Sequence, residues 1–335
     1  MPRKPCAGSA NWWPAVSTSE GRRMRWSRWA VLIAGFVVAG CTSPVGGAAL
    51  PDPGYTPPRR SESTAQDLIG NANALDPCSL LDPSALEQFG AAQKPEQEAY
   101  DYCWLKLPVG STTVAVRFGL MERMRGELQA TEVEPVATLR VFEENPVKDR
   151  CARYIMFSDG VTMAVSADTF DTPAATVPEL CSIAEKATTT IAENVAAKRM
   201  KHLDYPADSL ARVDACRAVA VSLAQVPGLP AGEVISYPGR HQCRWGMAMA
   251  PSLTVRFVLD EPSTAPEVKT ESIAGKQTGI YSSEINGRTI CVAEVKHGSS
   301  RELAQVIVRL PPNNAEPACA AARVVATEAW SKLPA

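Results

Sequence analysis

Residues 103–118 read CWLKLPVGSTTVAVRF, and residues 243–257 read CRWGMAMAPSLTVRF. Each stretch opens on a cysteine with a tryptophan one or two residues on and closes on Val-Arg-Phe, at 116–118 and 255–257. The β-branched residues of TTVAVRF and LTVRF predict strands. Working outward, the cysteines keep the same interval. They fall at 78, 103, 151 and 181, then at 216, 243, 291 and 319, with spacings of 25, 48 and 30 against 27, 48 and 28. Asp76-Pro77-Cys78 matches Asp214-Ala215-Cys216. Two sets with nearly one spacing signal an internal duplication, which predicts a first domain over 68–200 and a second over 204–335.

Within a copy, Asp76 reads as an N-cap with Pro77 at the first helical position, and Asp82-Pro83 repeats that signal before SALEQF, which Gly90 ends. Strands are predicted at 104–107, 112–120, 137–142, 152–157 and 161–167, and in the second copy at 244–250, 253–259, 279–285, 288–295 and 303–310. Leu180, Ile183, Ala184, Ala187, Ile191 and Val195 form an apolar stripe at helical spacing. Ala322, Val325, Ala326, Ala329, Trp330 and Leu333 do the same in the second copy. The expected fold is α+β: two tandem copies of an antiparallel sheet of about five strands, covered on one face by N- and C-terminal helices.

Arg22, Arg23, Arg25 and Arg28 precede the uncharged run AVLIAGFVVAG at 30–40. That run is too short for the ~20 residues of a spanning helix and reads as the h-region of a signal peptide. Its end, Val38-Ala39-Gly40-Cys41, resembles the lipobox of bacterial lipoprotein precursors. The resemblance implies cleavage between Gly40 and Cys41, removal of residues 1–40, and a Cys41 lipidated at the membrane face. Met24 is the expected start, with 1–23 an extension. Residues 41–67, rich in Pro, Gly, Ser and Thr, read as a flexible tether with a span of roughly 30 Å.

A signal peptide implies an oxidising compartment, so the eight cysteines read as two disulfides per copy. Four cysteines allow three connectivities. The sequential one, Cys78–Cys103 and Cys151–Cys181 with Cys216–Cys243 and Cys291–Cys319, is preferred because each bond then pins a helix to a strand. Zinc sites bring cysteines in close pairs, and no two of these lie within twenty residues. No metal or other cofactor is expected. No C-x-x-C supports thiolate redox chemistry.

The tryptophan beside each second cysteine reads as core more readily than as a stacking surface for a ligand. Arg117 and Arg256, at matching strand positions opposite the Val116 and Phe118 face, suggest either a solvated sheet face or a cationic ligand site repeated in both copies. The first copy holds no histidine, since His202 lies between the copies and His241 and His297 in the second. No nucleophile-elbow, zincin or phosphate-loop spacing occurs. The acid pairs Glu132/Glu134 and Glu143-Glu144 read as a solvated face. No catalytic residue is assigned and no enzyme is expected. Residues 70–200 set nineteen acidic side chains against twelve basic ones, and the chain from Cys41 onward carries −7. That charge argues against nucleic acid as partner.

The run Asp-Pro-Cys-Ser-Leu-Leu at 76–81, Cys103-Trp104, and cysteines on a late strand and at the head of the last helix resemble the actinobacterial cell-envelope lipoprotein domain of unknown function. More distantly they resemble the extracellular sensor domain of actinobacterial serine/threonine kinases. The resemblance implies a secreted, disulfide-stapled α+β domain and carries no catalytic residues. The expected protein is anchored at the extracytoplasmic face of the membrane and binds an envelope ligand or protein partner where the copies meet. A ligand binder requires a concave site with convergent polar groups. A structural or interaction protein requires a flat apolar patch, and a hydrolase requires a buried acid of raised pKa facing a cleft.

Overall fold

The computed structural model describes residues 63–124, 128–169, 175–220, 222–230, 232, 234–246 and 251–334. The expected signal peptide, the Gly40/Cys41 cleavage and lipidation site, and all but the end of the tether lie outside them, as does the end of the strand expected at 244–250. Strands β1 (Glu96–Gln97), β2 (Cys103–Val109), β3 (Thr112–Arg123), β4 (Ala130–Val136), β5 (Leu139–Glu144), β6 (Arg150–Met156) and β7 (Val161–Thr169) form one antiparallel sheet in the order β1-β2-β3-β7-β6-β5-β4. Strands β8 (Val234–Ser236), β9 (Gln242–Trp245), β10 (Ser252–Leu259), β11 (Lys269–Ile273), β12 (Lys276–Ile285), β13 (Arg288–His297) and β14 (Glu302–Leu310) form the second, in the order β8-β9-β10-β14-β13-β12-β11. Strand for strand, the two orders are the same.

Each sheet has seven strands rather than the expected five. The additional strands, β1 and β4 in the first sheet and β8 and β11 in the second, are the outermost ones. An outer strand has a neighbour on one side only, so it need not carry the apolar alternation that marks an inner strand. β4 reads ATEVEPV, mostly exposed, and its pairing with β5 slips between Val133 and Val136. β11 reads KTESI. The strand expected from Ala137 starts at Leu139, because Ala137 and Thr138 form the hairpin turn with φ of 48° and 76°. The matching turn of the second copy is Ala274-Gly275, with φ of 49° and 77°.

The opening of each copy is shorter than the expected helix. Asp76 and Asp82 cap as predicted, accepting from the N–H of Cys78 and of Ser84, but each starts one 3-10 turn, Pro77–Leu80 and Pro83–Leu86. Pro83 disfavours helical backbone at Asp82 and so ends any continuation from the first turn. A short helix, α1 (Ala65–Ile69), precedes them and begins within the stretch read as tether; a Thr64/Asp67 capping box starts it. The closing helices α2 (Val177–Ala196) and α3 (Ala315–Trp330) bury the predicted stripes on one face of their sheets, except that Leu333 lies past the end of α3. A reciprocal Thr176/Glu179 capping box starts α2.

Two cores pack between helix and sheet, one around Phe118, Val165 and Ile183, the other around Phe257, Val306 and Trp330, the second also taking in Tyr100 of the first copy. Disulfides join Cys78 to Cys103, Cys151 to Cys181, Cys216 to Cys243 and Cys291 to Cys319, with Cα–Cα distances of 5.1, 5.1, 4.9 and 5.2 Å. The second and fourth tie strands β6 and β13 to helices α2 and α3. The copies also touch. The N–H of Leu259 donates to the carbonyl of Glu98 at 3.2 Å, Ala99 bridges Val258, and these two pack with Leu303 and Tyr102. The connection between copies is itself held, since Asp76 N–H donates to Lys201 and Leu203 N–H to Ala74.

Candidate functional site

A cleft of about 400 Å³ opens where the copies meet. One wall comes from α1, the Gly70–Asn73 turn, Arg123 at the end of β3 and Asp159 in the β6–β7 turn. The other comes from Asp214, Arg217 and the loop Ser236–Arg240. Local chemistry sets each piece. Gly70, with φ of 75°, ends α1 and turns the chain. Asn71 then caps the next turn, accepting from Asn73 N–H at 3.3 Å. Asp159 receives Ala65 N–H at 3.3 Å and pairs with Arg123 at 3.5 Å, so one carboxylate ties α1 to the end of β3. On the facing wall Asp214 accepts from Cys216 N–H at 2.9 Å and pairs with Arg217 at 3.7 Å.

Arg240 stands at the lip with a left-handed backbone, φ of 59°. Two bonds fix it there: its N–H donates to the Tyr237 carbonyl at 2.8 Å and its carbonyl accepts from Ala215 N–H at 2.9 Å. An arginine held in this conformation costs energy that a glycine would not. Its guanidinium is exposed and has no carboxylate partner among the described residues. The described lining therefore offers three guanidiniums, two carboxylates already bonded, and the amides of Gln66, Asn71 and Asn73. It includes no histidine and no free thiol, Cys216 being in its disulfide. Among the described residues no group of three His, Cys, Asp or Glu side chains is placed to hold a metal ion.

Arg117 and Arg256 do not line the cleft. Arg117 pairs with Asp168 at 3.0 Å and Arg256 donates from Nε to Gln305 at 2.7 Å, both on the helix-free faces of their sheets. Neither is the solvated surface residue of the plainer expectation, since the Arg117 side chain is 15% exposed. The structure brings both toward one place at the seam. Burial pushes the Tyr102 hydroxyl up to about 12, against the pull of Arg256 and Arg117. Glu98 beside it is also raised, by burial first and by Asp260 and Glu96, with Arg117 opposing. Burial lowers Arg309 to about 10, with Arg256 and Arg244 adding their repulsion. The helix-free face of the second sheet also holds Glu294, which accepts from Gln305 Nε2 at 2.9 Å, and Arg244 pairs with Glu122 at 3.5 Å.

The two tryptophans part company. Trp245 is buried in the second core, whereas Trp104 lies half-buried opposite Arg117 on the helix-free face, under the Lys106 ammonium. Side chains alternate across a strand, so the one residue inserted between Cys243 and Trp245 turns that indole inward. The acid pairs are bonded rather than merely solvated, Glu132 to Arg140 at 2.6 Å and Glu143 to Arg153 at 2.6 Å. Sequence reasoning missed Arg123, Arg217 and Arg240. Only Pro238-Gly239 marked a turn near them.

Comparison with known proteins agrees in part. A family described as "Protein of unknown function (DUF3558)" matches residues 36–194. That span includes the first sheet and most of α2. No curated protein matches the chain. Among solved structures, the crystal structure of DynU16, a protein from the dynemicin biosynthetic locus, aligns over 74% of this chain and 88% of its own at 12% identity, with a TM-score of 0.16.

Proposed function

We propose that this protein is a lipid-anchored binding protein of the cell envelope whose inter-copy cleft takes a small polar ligand bearing an anionic group. The observation that carries the reading is the cleft itself, whose described lining includes Arg123, Arg217 and Arg240 among side-chain amides, Arg240 having no carboxylate partner among the described residues. Guanidiniums favour carboxylate and phosphate groups because their planar fork matches those oxygens. The lipobox resemblance at Val38–Cys41 supports the anchor, and the acidic charge of the first copy favours standing off an anionic surface over lying on it.

Two other readings have less support. An interaction protein calls for an exposed apolar patch, and the large hydrophobic side chains exposed among the described residues are Val147 and Val324, in different copies. A hydrolase calls for a raised acid in the cleft, and Glu98, the acid raised by burial, is not in its described lining.

The test is thermal-shift titration of the intact protein with inorganic phosphate, glycerol phosphate and carboxylated sugars. Saturable stabilisation by one of them, weakened about tenfold or more in R240A, is the expected result. No shift with any probe, or equal shifts in R240A, would sink the reading. Mass spectrometry of membrane-extracted protein tests the anchor separately: an N-terminal peptide starting at lipidated Cys41 is expected, and an unmodified N-terminus upstream of Cys41 refutes it.

A further inference from the structure

Asp101 lies two residues before Cys103, and His241 lies two residues before Cys243. They hold the same position in the two copies, and they meet: His241 Nδ1 is 2.7 Å from Asp101 Oδ1. The 3-10 turns Ala72–Ala74 and Leu210–Arg212 also hold one position, six to four residues before Cys78 and Cys216, and they too lie against each other. A position that touches its own counterpart sits on a twofold axis. Two such contacts describe an isologous interface, the geometry of a homodimer.

In a true homodimer an on-axis side chain faces itself. Asp101 facing a second Asp101 would set carboxylate against carboxylate in a buried seam, and a pair of histidines would offer no anion. Duplication lets the two positions differ. Here one copy supplies the carboxylate and the other a fully buried imidazole, whose Nε2 lies 3.0 Å from the Ala211 carbonyl. Both ring nitrogens thus face acceptors, and Tyr100 tilts onto the ring at 4.7 Å. The fit is close: a Cβ at Gly239 would stand 1.9 Å from Asp101 Oδ1, so only glycine lets the carboxylate reach the ring.

We infer that the seam is a heterodimer-type docking surface, by which the first copy recognises a second domain of its own fold carrying histidine at the axis and rejects a duplicate of itself. The linker joins the partners in one chain, and docking at the seam does not require it to be intact. The geometry is independent of whether the cleft binds a ligand.

The experiment uses the full chain with a protease site inserted between Ala207 and Asp208, in the exposed part of the linker. After cleavage, the halves are expected to sediment as one particle at about 1 μM. H241D, which faces two carboxylates across the axis, is expected to weaken association at least about tenfold. H241N, which can still donate a hydrogen bond to Asp101, is expected to associate more tightly than H241D. Circular dichroism and disulfide mapping of each half establish that H241D acts on docking and not on folding. Separation of the cut wild-type halves at this concentration, tight association of H241D, or folded H241N that associates no better than H241D would each overturn the inference.

Discussion

Thr138 shows how much one residue can work against its place. It occupies the second position of a two-residue hairpin turn with φ of 76°, after Ala137 at 48°. Such a turn favours Asn or Gly, and a β-branched residue is among the worst for it. The second copy has Gly275 in the same place. T138G is expected to raise stability by about 0.5–1 kcal/mol, the relieved strain being partly offset by the added freedom of glycine when unfolded. The midpoint of urea unfolding reports it, and an unchanged or lower midpoint refutes it. At this scale the sequence was readable where one residue type has one strong local preference: Asp76 and Asp82 cap where they were expected to. It was unreadable where a side chain's direction depends on strand parity, as with Trp104 and Trp245, or where a bond reaches across the chain, as from Asp101 to His241.

Helix α3 illustrates how an element is fastened. Burial opposes ionisation of Glu328, but hydrogen bonds from Lys332, the Ser222 hydroxyl and the N–H groups of Ser222 and Ala220 outweigh it and bring the carboxyl down to about 2 from 4.5. One carboxylate thereby ties α3 to the 3-10 turn Ser222–Gln225. A carboxyl with a lowered folded pKa adds stability that is complete above its unfolded value and disappears as pH falls through the folded one. The stabilisation from this group is therefore expected to fade between about pH 4.5 and 2, and E328Q is expected to be less stable at neutral pH with a shallower acid loss over that window. Chemical denaturation at several pH values checks both, and parallel curves for the two proteins would contradict the assignment. Elements with an apolar face were legible beforehand: α2, α3 and the inner strands all carry their burial in their periodicity. The outer strands were not, because β4 and β11 owe their form to one neighbour's backbone and not to their own side chains.

At the scale of the molecule, two cores with their own disulfides are joined by a seam whose contacts are few and close. Removing Cys291–Cys319 is expected to cost the second copy about 3–4 kcal/mol in the chain-entropy model. In the wild-type seam, C291A/C319A should lower one shared calorimetric transition. With G239A added, which forces Asp101 away from His241, the same change should leave two transitions and lower only one. A single transition that persists in the G239A background would show that the Asp101–His241 contact is not what couples the copies. The cysteine spacing disclosed two copies, yet not which surface each turns to the other. Asp101, Gly239 and His241 form no motif, and the cleft exists only because residues some 140 positions apart are brought side by side. The outer strands have a last consequence. β4 sets Glu132, Glu134 and Pro135 along its rim, and β11 sets Lys269 and Glu271 along its own. These charges and the proline blunt two of the borders, and the shortness of β1 and β8, two and three residues, blunts the others, so a concentrated solution of this sheet-rich protein should resist growing into fibrils.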